Sequence, residues 1–109
     1  MAIPHILPGQ VVDVLPPEAN IADAKTVALF KSQDLEVMRL VLQTGKSLPP
    51  HKVAGEITIH CVEGIMSVTT EGANHTLHKG QLLYLRGNEL HGVQALENSC
   101  AIVTVALIK

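Results

Sequence analysis

Six histidines in 109 residues are the side chains best suited to chemistry near neutral pH. Their settings differ. His5 lies in a proline-flanked tail and reads as solvated. His75 and His78 bracket a short polar stretch beside Lys79-Gly80 and read as surface residues. His51 follows Gly45-Lys46-Ser47-Leu48-Pro49-Pro50, and His91 follows a turn-rich approach ending in Arg86-Gly87-Asn88-Glu89-Leu90. Each approach aims its imidazole into the mouth of a barrel. Two imidazoles meeting there contribute to a transition-metal site, or one of them serves as a general base. No carboxylate pair, Ser/His/Asp set or glycine-rich phosphate loop offers another mechanism.

The elements that must position these rings are short. Gly, Pro, Asn and Ser punctuate the chain at close intervals, and β-prone runs lie between them. The runs are Val11 to Leu15, Lys25 to Phe30, Leu35 to Gln43, Glu56 to Glu63, Met66 to Thr70, His75 to Leu77, Leu82 to Leu85, His91 to Ala95 and Cys100 to Ile108. Ala19 to Lys25 is the one stretch suited to a helical turn. Leu48-Pro49-Pro50 is an extended, pre-ordered entry to His51. Glu71-Gly72-Ala73-Asn74 has hairpin-loop chemistry, and Gly87-Asn88 tolerates positive φ. The pattern is all-β, a sandwich or a barrel.

At His51 and His91 the sequence resembles the cupin superfamily. Its first motif reads G-x5-H-x-H-x3-E-x6-G and its second G-x5-P-x-G-x2-H-x3-N. Gly45, His51 and Gly64 fit the first frame, and Gly80 and His91 fit the second. The resemblance spans roughly Leu35 to Ile108. It implies an all-β, RmlC-like, double-sheet antiparallel β-barrel of jelly-roll type, and a divalent metal held by three His and one Glu. The departures fall on those ligands. Val53 stands for the second His, Ile57 for the Glu, Arg86 for the Pro, Asn88 for the Gly and Ala95 for the final Asn.

Strand parity decides whether other groups compensate, because side chains alternate faces. In an unbroken frame Ile57, Ile59 and Cys61 face inward with His51 and Val53, while Glu56, Thr58, His60 and Val62 face out. A bulge at Gly55 would reverse this and bring Glu56, then His60, toward His51 and His91. Both versions stand as expectations. The metal candidates are His51 and His91, with Glu56 and His60 behind them, and the ion would be Fe, Mn, Ni or Zn. The expected pocket lining is Val53, Ile57, Ile59, Cys61, Tyr84, Met38 and Leu40.

Composition bounds the rest. The length suits one domain, residues 1–109, with 1–34 as N-terminal strands and an interface arm and 35–108 as the barrel. Phe30 and Tyr84 are the sole aromatics, so the core is built from 14 Leu, 12 Val and 8 Ile. A net charge of −2 gives no footprint for nucleic acid or an anionic membrane. No apolar run is long enough to span a bilayer, and MAIPHILPGQ lacks a signal-peptide pattern. Cys61 and Cys100 read as reduced, buried thiols of a cytoplasmic protein. A mean hydropathy of +0.28 is high for so small a chain and points to a homodimer. Its expected interface is Val11 to Leu15, Lys25 to Phe30 and Cys100 to Ile108, with the last strand buried between core and partner. Two functions follow: a metal-dependent oxygenase- or isomerase-type enzyme acting on a small molecule, or a non-catalytic, metal-free small-molecule-binding module.

Overall fold

Short β-prone runs broken by turn residues leave the backbone one route to satisfying its hydrogen bonds, which is pairing between runs. The computed structural model describes residues 5–16 and 24–108 and has nine strands among them. They are β1 (Val27–Lys31), β2 (Leu35–Leu42), β3 (Ser47–His51), β4 (Ile57–Glu63), β5 (Ile65–Thr70), β6 (Ala73–His78), β7 (Leu82–Leu85), β8 (His91–Ala95) and β9 (Ser99–Ala106). A five-stranded antiparallel sheet runs β1-β2-β9-β4-β7 and a four-stranded one runs β3-β8-β5-β6. The two sheets face each other as a jelly roll. No helix of the described residues is long and apolar enough to cross a membrane.

The turns fall where the residue types allow them. Asn88 takes a left-handed φ of 62°, the conformation a glycine would otherwise supply. β3 carries Pro49 and Pro50 within the strand, and it lies at a sheet edge, where missing N–H donors cost no ladder bond. Its register with β8 is irregular between Leu48 and His51.

Both sheets contribute to one aliphatic core. Leu40, Leu42, Ile57, Ile59, Cys61, Ala101 and Val103 come from the five-stranded sheet, and Met66, Val68, Leu77, Val93 and Ala95 from the other. Ile57, Ile59 and Cys61 are 4, 2 and 0 % exposed, so the unbroken frame of β4 is the one adopted. The irregularity in β4 lies between Cys61 and Glu63, not at Gly55. Gly55 is needed for a different reason. A Cβ there would stand 1.7 Å from the Ala106 carbonyl oxygen at the end of β9. Backbone meets backbone at that point, and Ala106 N–H donates to the Glu56 carbonyl at 2.9 Å.

One expectation about the N-terminal region changes. Val11 to Leu15 forms no strand, since Pro8-Gly9 before it and Pro16 after it interrupt any ladder. It runs instead as an arm over the outer face of the five-stranded sheet. Arg39 Nη1 donates to the Asp13 carbonyl at 3.1 Å, and Cys100 Sγ lies 3.8 Å from the Val14 carbonyl. The chain's own arm therefore covers β9 at Cys100. The helical turn expected over Ala19 to Lys25 lies mostly outside the described residues.

Both cysteines are free and buried. Burial pushes the Cys100 thiol up to about 11 and raises Cys61 as well, so both stay protonated at neutral pH.

Candidate functional site

His51 closes β3, His91 opens β8, and the two are register partners. Directly opposed residues project to the same side of a sheet. The rings accordingly stand together, centroids 4.6 Å apart and planes tilted by 51°. His91 is 4 % exposed, whereas His51 sits exposed at the rim. The turns that deliver them are tied to each other. Asn88 N–H donates to the Val53 carbonyl at 2.7 Å. Gly87 lies so close to Ala54 that a Cβ would come 2.2 Å from its carbonyl oxygen.

Each ring has a fixed proton. His91 Nδ1 lies 2.9 Å from the Glu89 carbonyl oxygen, and His51 Nδ1 lies 3.3 Å from that of Pro49. A carbonyl only accepts, so each Nδ1 donates, and in the neutral imidazole Nε2 then carries the lone pair. Backbone carbonyls orient metal-ligating and substrate-binding imidazoles alike in this manner.

The rings border a cavity of about 400 Å³ between the sheets. The expected lining residues Val53, Ile57, Ile59, Met38 and Leu40 all face it. Leu48, Val93, Val103, Val105, Leu107 and Ile108 add further hydrocarbon. Cys61 is not in the wall. It is sealed deeper in the core, its thiol near the carbonyls of Glu63 and Gly64. Tyr84 is also absent, because its register partner is the outward Thr58. It is 59 % exposed and its hydroxyl donates to Glu56, whose carboxylate holds the phenol pKa above its usual value.

Glu56 and His60 are likewise corrected as metal candidates. Both are exposed on the outer face, His60 between Leu82 and Ile102 in register. Val53 and Ile57 put hydrocarbon where the cupin frame would put ligands. Among the described residues no three His, Cys, Asp or Glu side chains could hold one ion. Open catalytic metal sites ordinarily have three protein ligands. Two imidazole nitrogens in an aliphatic wall do not fit a resident catalytic metal.

Besides those further hydrocarbon residues, one charged wall residue went unread in the sequence. Glu36 precedes Met38 and Leu40 by two and four positions on β2 and shares their inward face. Its signal was that spacing.

Comparisons agree with this architecture. The sequence matches the family model described as cupin domain over residues 38–107. A search of curated proteins gave no significant match. Among solved structures, the chain resembles a conserved protein of unknown function from Streptococcus pyogenes, with a TM-score of 0.79 at 18 % identity, covering 100 % of this chain and 96 % of that one. It resembles an RmlC-like cupin protein from Desulfovibrio desulfuricans, with a TM-score of 0.77 at 22 % identity, over 89 % and 96 % of the two chains. KdgF from Halomonas sp. aligns with a TM-score of 0.71 at 22 % identity, over 77 % and 78 %. Such identities carry the fold alone. With the family model spanning most of its length and the jelly roll matching throughout, this chain belongs to the cupin superfamily.

Proposed function

We propose that this cupin is a small-molecule-binding module whose pocket takes an apolar-bodied ligand without a resident metal. The observation that carries this reading is the wall itself: an aliphatic cavity of about 400 Å³ with a paired His51 and His91 at its mouth. Small-molecule sites have this make-up, a hydrocarbon lining with a few polar groups that fix orientation. The experiment is a titration with adamantylmethanol, followed through the methyl resonances of Ile57, Ile59, Val103 and Val105. One saturable site per chain is expected, and Val103→Phe, which fills the cavity, abolishes it. Shifts scattered over the surface, or unchanged in Val103→Phe, contradict the reading.

A second reading rests on the two Nε2 lone pairs. A chelating ligand could bring Fe, Mn, Ni or Zn with it and use His51 and His91 to complete the coordination. The ion would then bind only with its ligand, and cupin metal chemistry would be conditional here.

A homodimer is proposed as well. Leu7, Val11, Leu35 and Ile108 are exposed apolar residues on the arm and the strand ends, and a second copy would bury such surface. Light scattering at micromolar concentration is expected to give twice the 11.7 kDa chain mass, and a monomer contradicts it.

A further inference from the structure

The polar side chains that line the cavity offer acceptors, with both imidazoles in the neutral form. Four polar side chains line it: Thr26, Glu36, His51 and His91. The Thr26 hydroxyl is consumed by the backbone, since Oγ1 donates to the Val41 carbonyl at 3.2 Å and accepts from Val41 N–H at 2.9 Å. His51 and His91 spend their N–H protons on Pro49 and Glu89, so each offers a lone pair. Glu36 offers a carboxylate. No hydrogen bond or ion pair engages it among the described residues. Lys31 stands opposite Glu36 in the β1–β2 register, but the pair is not within ion-pair distance.

The register locates Glu36 within the cavity wall. Glu36, Val105 and Ile57 form one row across β2, β9 and β4. Ile57 is the in-frame position of the missing metal carboxylate. Glu36 lies two strand spacings from it, roughly 10 Å along the same row. Glu36 forms no three-ligand cluster with the imidazoles among the described residues, yet it lies on the wall of the same cavity. A ligand in the pocket therefore meets the carboxylate of Glu36 and the imidazoles of His51 and His91 on the wall of one cavity.

We propose that this pocket selects a molecule whose polar end donates hydrogen bonds or carries positive charge, an amine above all, with Glu36 as the specificity-determining residue. An anionic ligand meets a carboxylate and two neutral imidazoles, and no lining side chain carries a positive charge to offset it. An ammonium group gives Glu36 a charge-assisted hydrogen bond in a half-buried, hydrocarbon-lined site, where such bonds are stronger than at an open surface. The inference rests on the pocket reading above, and its test separates the two.

The test compares three ligands with one apolar body: adamantylmethylamine, adamantylmethanol and adamantane carboxylate, each titrated by methyl NMR. The amine is expected to bind about tenfold tighter than the alcohol, the effect of one charge-assisted bond, and the carboxylate weakest. Glu36→Gln is expected to abolish the roughly tenfold preference of the amine over the alcohol. Glu63→Gln removes an equal charge outside the cavity and keeps the preference, which excludes net charge as its source. Equal binding of all three, or a preference that survives Glu36→Gln, overturns the selection and leaves the pocket standing. Binding of none overturns both.

Discussion

Gly55→Ala is expected to destabilise this protein by roughly 3 kcal/mol, near the upper end for single substitutions. The added carbon would stand 1.7 Å from the Ala106 carbonyl oxygen, a backbone atom that cannot rotate aside. Either the loop before β4 or the end of β9 must move, and both border the cavity. Gly72→Ala is the control. A Cβ at Gly72 meets nothing within 4 Å, but the φ of +75° leaves the ordinary left-handed penalty of about 1 kcal/mol. Urea denaturation of both variants measures the difference. Equal losses would show that close backbone approach at Gly55 is not what holds the mouth together.

The second large effect is a gain. Val53→His combined with Ile57→Glu restores the two ligands that the cupin frame lacks here. Both positions face the cavity that His51 and His91 border. Zn2+ affinity is expected to rise by more than the roughly 100-fold that even an outer-shell partner supplies. Ile57 is 4 % exposed, so a glutamate there is costly without an ion. Thermal stability of the metal-free variant should therefore fall and recover when Zn2+ is added, while the parent protein shows little response. A variant whose melting temperature ignores Zn2+ would mean that these four positions do not converge.

The alternation of apolar residues was informative wherever one face of a strand is polar. Ile57, Ile59 and Cys61 alternate with Thr58 and His60, and in the unbroken frame that parity places Glu56 and His60 outside. The pattern is silent where both faces are apolar. In β7, Leu-Leu-Tyr-Leu reads alike in either register, so pairing with Thr58 rather than composition puts Tyr84 on the surface. β9 is similar, and the places of Val103 and Val105 in the wall follow from its position beside β4. Gly55 carried a signal of the right kind and the wrong cause. Glycine marks either a bulge or a close backbone approach, and sequence does not distinguish them. The pairing of His51 with His91 is a long-range register, reached through the two Gly-to-His spacings of the family frame rather than through any local propensity.

The acceptor-only character of the pocket depended on something no sequence displays, namely which ring nitrogen each histidine spends on its own turn. The carbonyls of Pro49 and Glu89 each lie two residues before a ring and fix that choice. His91→Ala would leave the fold's hydrocarbon wall intact while removing the more buried of the two lone pairs.

The most direct measurement is the adamantylmethanol titration repeated in EDTA, with the metal content of the untagged protein determined on the same sample. The account predicts one saturable site per chain with an affinity unaltered by the chelator. Stoichiometric transition metal in the protein as purified, with binding lost once that metal is stripped, would contradict it.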